Sequence, residues 1–183
     1  MKKSSVIENF EFDSEMTDFN NITFKNTDFS NKNLDSFEFV DCIFNACDFS
    51  MSKLENVVLT RAKFVNCKLL GVDFSVCSKF AFSLSFEDCL MNYTLFHKND
   101  LKKTEFKGCH IKEANFFETN LNSSNFENCD LSDTIFDRCD LSKADFRTSN
   151  NYTINPNDNI IRKAQFSYPG VLGLLNHYNI SIE

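Results

Sequence analysis

Eight cysteines, three histidines and 26 Asp and Glu residues are the groups in this 183-residue chain whose types could do chemistry. Thiolates and imidazoles ligate zinc, thiols pair as disulfides, and paired carboxylates act as general acid and base. The spacing supports neither zinc nor paired carboxylates; it does not exclude disulfides between thiols stacked twenty residues apart, but free thiols are expected in a reducing cytosol. No CxxC occurs, and His97, His110 and His177 are scattered, with neither HExxH nor HxH spacing. There is no P-loop, no GxGxxG and no GxSxG. Asp130 and Asp133 lie close together, but Asp and Asn recur along the chain at one fixed period, as turn corners require. The chain therefore reads as non-enzymatic, with no cofactor, metal or small-molecule substrate expected. Cys42, Cys47, Cys67, Cys77, Cys89, Cys109, Cys129 and Cys139 all fall at one recurrent small position. There a thiol behaves as a small buried hydrophobe.

The element that must position these residues is a five-residue unit, clearest from Ala114 to Phe146. Phe116, Leu121, Phe126, Leu131, Phe136, Leu141 and Phe146 hold its large position. Ala114, Thr119, Ser124, Cys129, Thr134, Cys139 and Ala144 stand two residues earlier. Asn or Asp fills the place between, with Ile135 the exception. An α-helix would spiral this series round every face, and a flat strand would alternate it between two faces. A chain that turns a corner after each unit buries all of it. Four corners close a square of twenty residues, and stacked squares pair their backbones at about 4.8 Å. Phe106, Phe116, Phe126, Phe136 and Phe146 then form the core stack. Cys89, Cys109 and Cys129, twenty residues apart, share one column.

These repeats resemble the pentapeptide-repeat proteins, whose motif is A(D/N)Lxx. The resemblance implies an all-β, right-handed quadrilateral β-helix. It extends to the quinolone-resistance (Qnr-type) and microcin-immunity-type members through three features: overall length, the mid-chain break KFAFSLSFEDCL, and the ending INPNDNIIRKAQFSYPGVLGLLNHYNISIE. Proteins of that type are homodimers joined through their C-terminal ends. They bind DNA gyrase or topoisomerase IV and relieve poisoning by drugs or peptide toxins. Their rod has the size and charge of a DNA duplex. The alternative is a scaffold for other protein–protein interactions, unrelated to topoisomerases.

Taken in order, the chain divides as one domain. Residues 1–15 form an N-terminal cap in which Phe10 and Phe12 suggest a strand. Residues 16–76 are a first repeat block, with local distortion expected near Lys32 and Phe37. Residues 77–85 break the frame, and the register afterwards is shifted by two. Phe80, Phe82 and Leu84 alternate there, as in a strand with its Phe residues on one face. Residues 86–148 are a second block. Residues 149–183 hold a polar loop, a last solenoid side around Ile161 and Phe166, a short helix opened by Ser167 and Pro169, and a terminal strand through Ile180 and Ile182. Leu172, Leu174, Leu175 and Ile180 are the candidate dimer interface.

The formal net charge is -7, and residues 1–60 hold eleven acids against five lysines. An acidic surface does not attract nucleic acid, but it can attract a basic protein surface that binds DNA. Asp28 and Asp48, stacked on one side, and Lys79 and Phe80 in the break are the candidate partner contacts. From Phe19 to Phe166 there are about seven coils, roughly 35 Å of rod. No direct nucleic-acid binding or membrane contact is expected. MKKSSVIENF lacks an apolar leader core, so a cytoplasmic location is expected.

Overall fold

The structure is a computed structural model that describes residues 5–11, 16–178 and 180–181. Phe12 and Ile182, named above in terminal strands, lie outside the described residues. The described chain forms β1 (Ser5–Glu8), β2 (Asp18–Asn20), β3 (Ile22–Lys25), β4 (Glu38–Val40), β5 (Ile43–Asn45), β6 (Val58–Thr60), β7 (Ala62–Val65), β8 (Leu84–Glu87), β9 (Glu105–Lys107) and β10 (Asn125–Glu127). All pair in parallel, in the order β1-β3-β5-β7-β8-β9-β10 on one side and β2-β4-β6 on another. This is the four-sided β-helix. Side 1 carries the long sheet. On side 2, isolated bridges join Asp28 to Asp48 and Asp48 to Lys68; on side 3 they join Leu95 to Asn115 and Asn115 to Ile135. Side 4 carries β2, β4 and β6, and further along the chain the bridges Asp100–Asn120, Asn120–Asp140 and Asp140–Ile160.

The large position of each unit points inward because a closed coil has only one dry face. Eight phenyl rings stack in a single column behind side 1: Phe24, Phe44, Phe64, Phe86, Phe106, Phe126, Phe146 and Phe166. The best-aligned pair, Phe106 and Phe126, has centroids 4.7 Å apart and planes 1° from parallel. Phe74, Phe96, Phe116 and Phe136 stack behind the opposite side. The two columns meet edge to face, as in Phe116 against Phe126 at 6.2 Å and 89°. Both geometries suit the aromatic quadrupole. Leu101, Leu121 and Leu141 fill the space between, fully buried. Burial of each ring contributes about 1.5–3 kcal/mol.

The corners are built from two devices. The Asp or Asn before the large residue accepts the amide two residues on: Asp28 Oδ1 from Ser30 at 2.9 Å, Asp48 Oδ1 from Ser50 at 2.9 Å, Asp140 Oδ1 from Ser142 at 2.9 Å. The residue two after the large one then takes a left-handed conformation, as at Asn21, Asn26 and Asn31, with φ of 56°, 50° and 56°. No Val, Ile or Thr occurs among the positive-φ residues, as the Cβ clash requires. Val76 and Thr148 occupy this slot and do not adopt it. Gly108 does, with φ 62°, and any side chain there would collide with the Asp88 carboxylate.

Three local expectations need correction. The coil is not distorted at Lys32 and Phe37. The backbone ladder continues through Leu34 N–H to Lys53 O at 2.9 Å, Lys32 is exposed, and Phe37 is buried against Phe19. Lys32 lies in an outermost coil, where its stem reaches water without opening the wall. The stretch 148–159 is not a loop apart from the solenoid. Asn150 bridges to Asp130, Tyr152 and Ile154 are buried, and Asn159 donates to Phe136 O at 2.9 Å. Polar side chains replace the usual inward set while the coil keeps its twenty-residue length. The C-terminal helix is two 3-10 turns, Gly170–Leu174 and Asn176–Tyr178. Ser167 Oγ accepts the Gly170 amide at 3.1 Å. Two glycines in so short a segment favour this tighter winding over an α-helix.

Candidate interaction surface

The interior is filled by buried side chains. The small column behind side 2 reads Thr27, Cys47, Cys67, Cys89, Cys109, Cys129 and Ser149, all buried. It is longer than the sequence reading gave, because the two-residue shift hides the continuity of Cys67 and Cys89. Each thiol is directed at a wall carbonyl, as Cys129 Sγ to Phe106 O at 3.4 Å. Hydrogen bonding with Cys109, partly offset by Cys67, and burial push the Cys89 thiol up to about 12. Burial does the same at Cys77. A thiolate is therefore costly in the folded state. All eight cysteines should resist a thiol reagent in the native protein and react after denaturation. Quantitation of native against denatured labelling checks this, and fast native labelling of Cys129 would contradict it. Among the described residues no group of three or more His, Cys, Asp or Glu is placed to hold a metal ion. None of the helices is long and apolar enough to cross a membrane.

The outer faces carry the charged and the exposed apolar side chains. Asp28 and Asp48 do stack on side 2, but the column continues as Lys68, Leu90, His110, Asp130 and Asn150. Lys68 Nζ lies 3.7 Å from Asp48 Oδ2, so the acidic ladder is two rungs long. Hydrogen bonds from the Ser30 hydroxyl and amide lower the Asp28 carboxyl below the usual range. At Asp130 burial would raise it, but hydrogen bonds from Ser132, Asn151 and Lys112 outweigh burial and lower it. Asp140 and Asp145 are lowered as well. A carboxyl whose folded value lies below its unfolded one stabilises above the unfolded value, near pH 4, and loses that stabilisation as pH falls further. The melting temperature should therefore be flat from pH 7 to about pH 5 and fall steeply below about pH 4. A melting series over that range tests this; a midpoint that rises on acidification would contradict it.

The frame break lies in the middle of side 4. The carbonyls of Val57 and Leu59, two residues apart, accept from Ser78 at 3.0 Å and Ser83 at 2.9 Å, five residues apart. The extra residues loop outward, and β8 begins only at Leu84. The Phe residues do not share a face as a strand would place them. Phe80 is 78% exposed, whereas Phe82 folds back against the core. Lys79 Nζ bonds Ser75 O at 2.9 Å, and burial lowers its pKa. At the C-terminal end the four apolar candidates separate. Leu174 is buried, Leu175 half-buried, and Leu172 and Ile180 are 44% and 58% exposed. Leu174 is thus a plug for the last coil. Leu172 and Ile180 face outward with Val171 and Tyr178.

Comparison with known proteins places this arrangement. A family model described as a pentapeptide repeat region matches residues 37–116 and again 80–155. No curated protein matches the chain. A solved structure of trypsin-treated QnrB1, described as a plasmid-mediated fluoroquinolone resistance protein, superposes with a TM-score of 0.67 at 18% identity. The match covers 99% of this chain and 100% of that one. A second trypsin-treated QnrB1 structure gives 0.51 at 19% identity, covering 98% and 97%.

Proposed function

Because this chain belongs to the pentapeptide-repeat family, we propose that it acts by binding, as a rod that docks on DNA gyrase or topoisomerase IV and protects the enzyme from quinolone-type or peptide poisons. The observation that carries this reading is the end-to-end match, 99% and 100% of the two chains, with a fluoroquinolone resistance protein. The resemblance of the mid-chain break and of the C-terminal segment points the same way. In this reading the protein is cytoplasmic, where its thiols stay reduced, and homodimeric through Leu172 and Ile180. Two rods end to end would reach about 70 Å, some 20 base pairs of duplex.

The charge pattern refines the mechanism. A phosphate ladder would need acid along the whole rod, and here Lys68, Leu90 and His110 interrupt it. We therefore assign recognition to the exposed Phe80 on side 4, an aromatic anchor of the kind that dominates interfaces, and treat Asp28 and Asp48, on the opposite side 2, as a separate candidate contact. Phe80→Ser should weaken binding to immobilised gyrase at least about tenfold without changing the melting temperature. Asp28→Asn with Asp48→Asn should weaken it less, because Lys68 already neutralises Asp48 in part. Binding unaffected by the Phe80 variant would remove side 4 from the contact, and binding unaffected by the Asp28, Asp48 variant would remove side 2. The same flat sides would serve a scaffold for another protein, and a topoisomerase assay separates the two readings.

A further inference from the structure

Cations on this protein are distributed unevenly between paired and unpaired. From Arg61 onward, Arg61, Lys63, Lys68, Lys98, Lys107, Lys112, Arg138 and Arg147 each lie within 4 Å of a carboxylate, and Lys79 is held by a carbonyl. The remaining five, Lys102, Lys103, Lys143, Arg162 and Lys163, are exposed and form no ion pair among the described residues. All five lie together on side 4 or on the corner that leaves it, within three coil steps, about 14 Å. Asp100 and Asp140 stand beside them, accepting from Asn120 and from the Ser142 amide and keeping their charge, with Lys102 acting on Asp140; five cations against two carboxylates leave the strip net positive.

The other end of the same side has the opposite character. Asp18 and Glu38 pair in register between β2 and β4, both exposed and neither in an ion pair among the described residues. Asp41 at the following corner is paired with Arg61 and adds no free charge. Side 4 is therefore acidic in its first coils, carries the exposed Phe80 midway, and is basic in its last coils.

We propose that side 4 is a self-association surface, on which a second copy of this chain lies antiparallel. The argument is complementarity with itself. Turned by a two-fold axis through the middle of the side, the acidic end of each copy meets the basic end of the other, twice per pair. The rung of Asp18 falls opposite that of Ile160, with Arg162 and Lys163 at its corner, and the rung of Glu38 opposite that of Asp140, with Lys143 at its corner. A parallel pair would set like charges together. Duplex DNA fits the basic end alone and is repelled by the acidic end of the same side. A side about 35 Å long and about 10 Å wide buries well under the roughly 800 Å² per partner of stable complexes. The pair is accordingly weak and electrostatically steered. It does not rest on the topoisomerase reading or on the proposed C-terminal contact, which would be apolar and insensitive to salt; because Phe80 lies at its middle, the pair and a topoisomerase docked through Phe80 would compete.

Sedimentation of the full chain at high concentration tests it. The sedimenting mass at low salt should fall at about 0.5 M salt, where the screening length is below about 5 Å, to the mass that the salt-insensitive C-terminal contact leaves. Two variants sharpen the result: Asp18→Lys with Glu38→Lys, and Lys143→Glu with Lys163→Glu. Each alone should associate at least about tenfold more weakly, with unchanged melting. Mixed in equal amounts they should associate again, because each then meets its complement at both ends. A mass indifferent to salt, or a mixture that stays apart, overturns the proposal. So does a labelled DNA duplex that binds the wild-type chain and not the Lys143→Glu, Lys163→Glu variant while the mass stays constant.

Discussion

Replacing Phe126 by Ala should destabilise the protein by about 3–5 kcal/mol, the cost of emptying a large pocket in a core that cannot collapse around it. Phe126 is fully buried, stacked 4.7 Å from Phe106 and 4.8 Å from Phe146, and edge-on to Phe116 and Phe136. The ladder fixes the coil spacing, so neighbouring rings cannot close the gap. For a chain of this size that loss is a fall of roughly 10 °C in melting temperature. Phe80→Ala is the control. Its ring is 78% exposed, and the midpoint should move by less than about 0.5 kcal/mol equivalent. Thermal melts of the two variants check both values. A Phe126→Ala loss below about 1 kcal/mol would contradict the inward register.

The second large effect is a division of labour at the C-terminal end. Leu174 is 9% exposed and plugs the last coil, so Leu174→Arg should cost about 3 kcal/mol or more by burying an unpaired charge. Leu172 is 44% exposed. Leu172→Arg should leave the melting temperature of the chain within a degree or two, since an exposed substitution stays within about 0.5 kcal/mol. If Leu172 lies at the centre of a two-fold contact, each substitution counts twice and the variant sediments as a monomer. Equal melting losses for the two variants would contradict the separation of plug from contact.

The fold was legible because a five-residue period fits neither a helix nor a flat strand. The pairing of Phe64 with Phe86 shows a two-residue insertion of the kind the register of large residues implies. What escaped had other causes. The coil around Tyr152 and Asn159 hides because Tyr152 is buried one residue off the large position, Ile154 fills a small position, and Asn159 turns a polar group inward to Phe136 O. The exposure of Phe80 against the inward fold of Phe82 depends on where the extra residues leave the ladder, which spacing alone does not specify. The unpaired basic strip, by contrast, has a sequence signal. Arg61 with Asp41, Lys68 with Asp48 and Arg138 with Glu118 are partners twenty residues apart. Lys143 has Ser123 and Lys163 at that distance, and Arg162 has Ser142. Reading charges at the coil period would have found it.

This rod is proposed to act on a type II topoisomerase. The most direct measurement is DNA gyrase supercoiling in the presence of a quinolone at a concentration that stops the enzyme, titrated with the purified protein. The account predicts that supercoiling returns as the protein is added, and that the Phe80→Ser variant needs at least about tenfold more protein for the same recovery. Supercoiling that stays blocked at every protein concentration, with either gyrase or topoisomerase IV as the target, would contradict it.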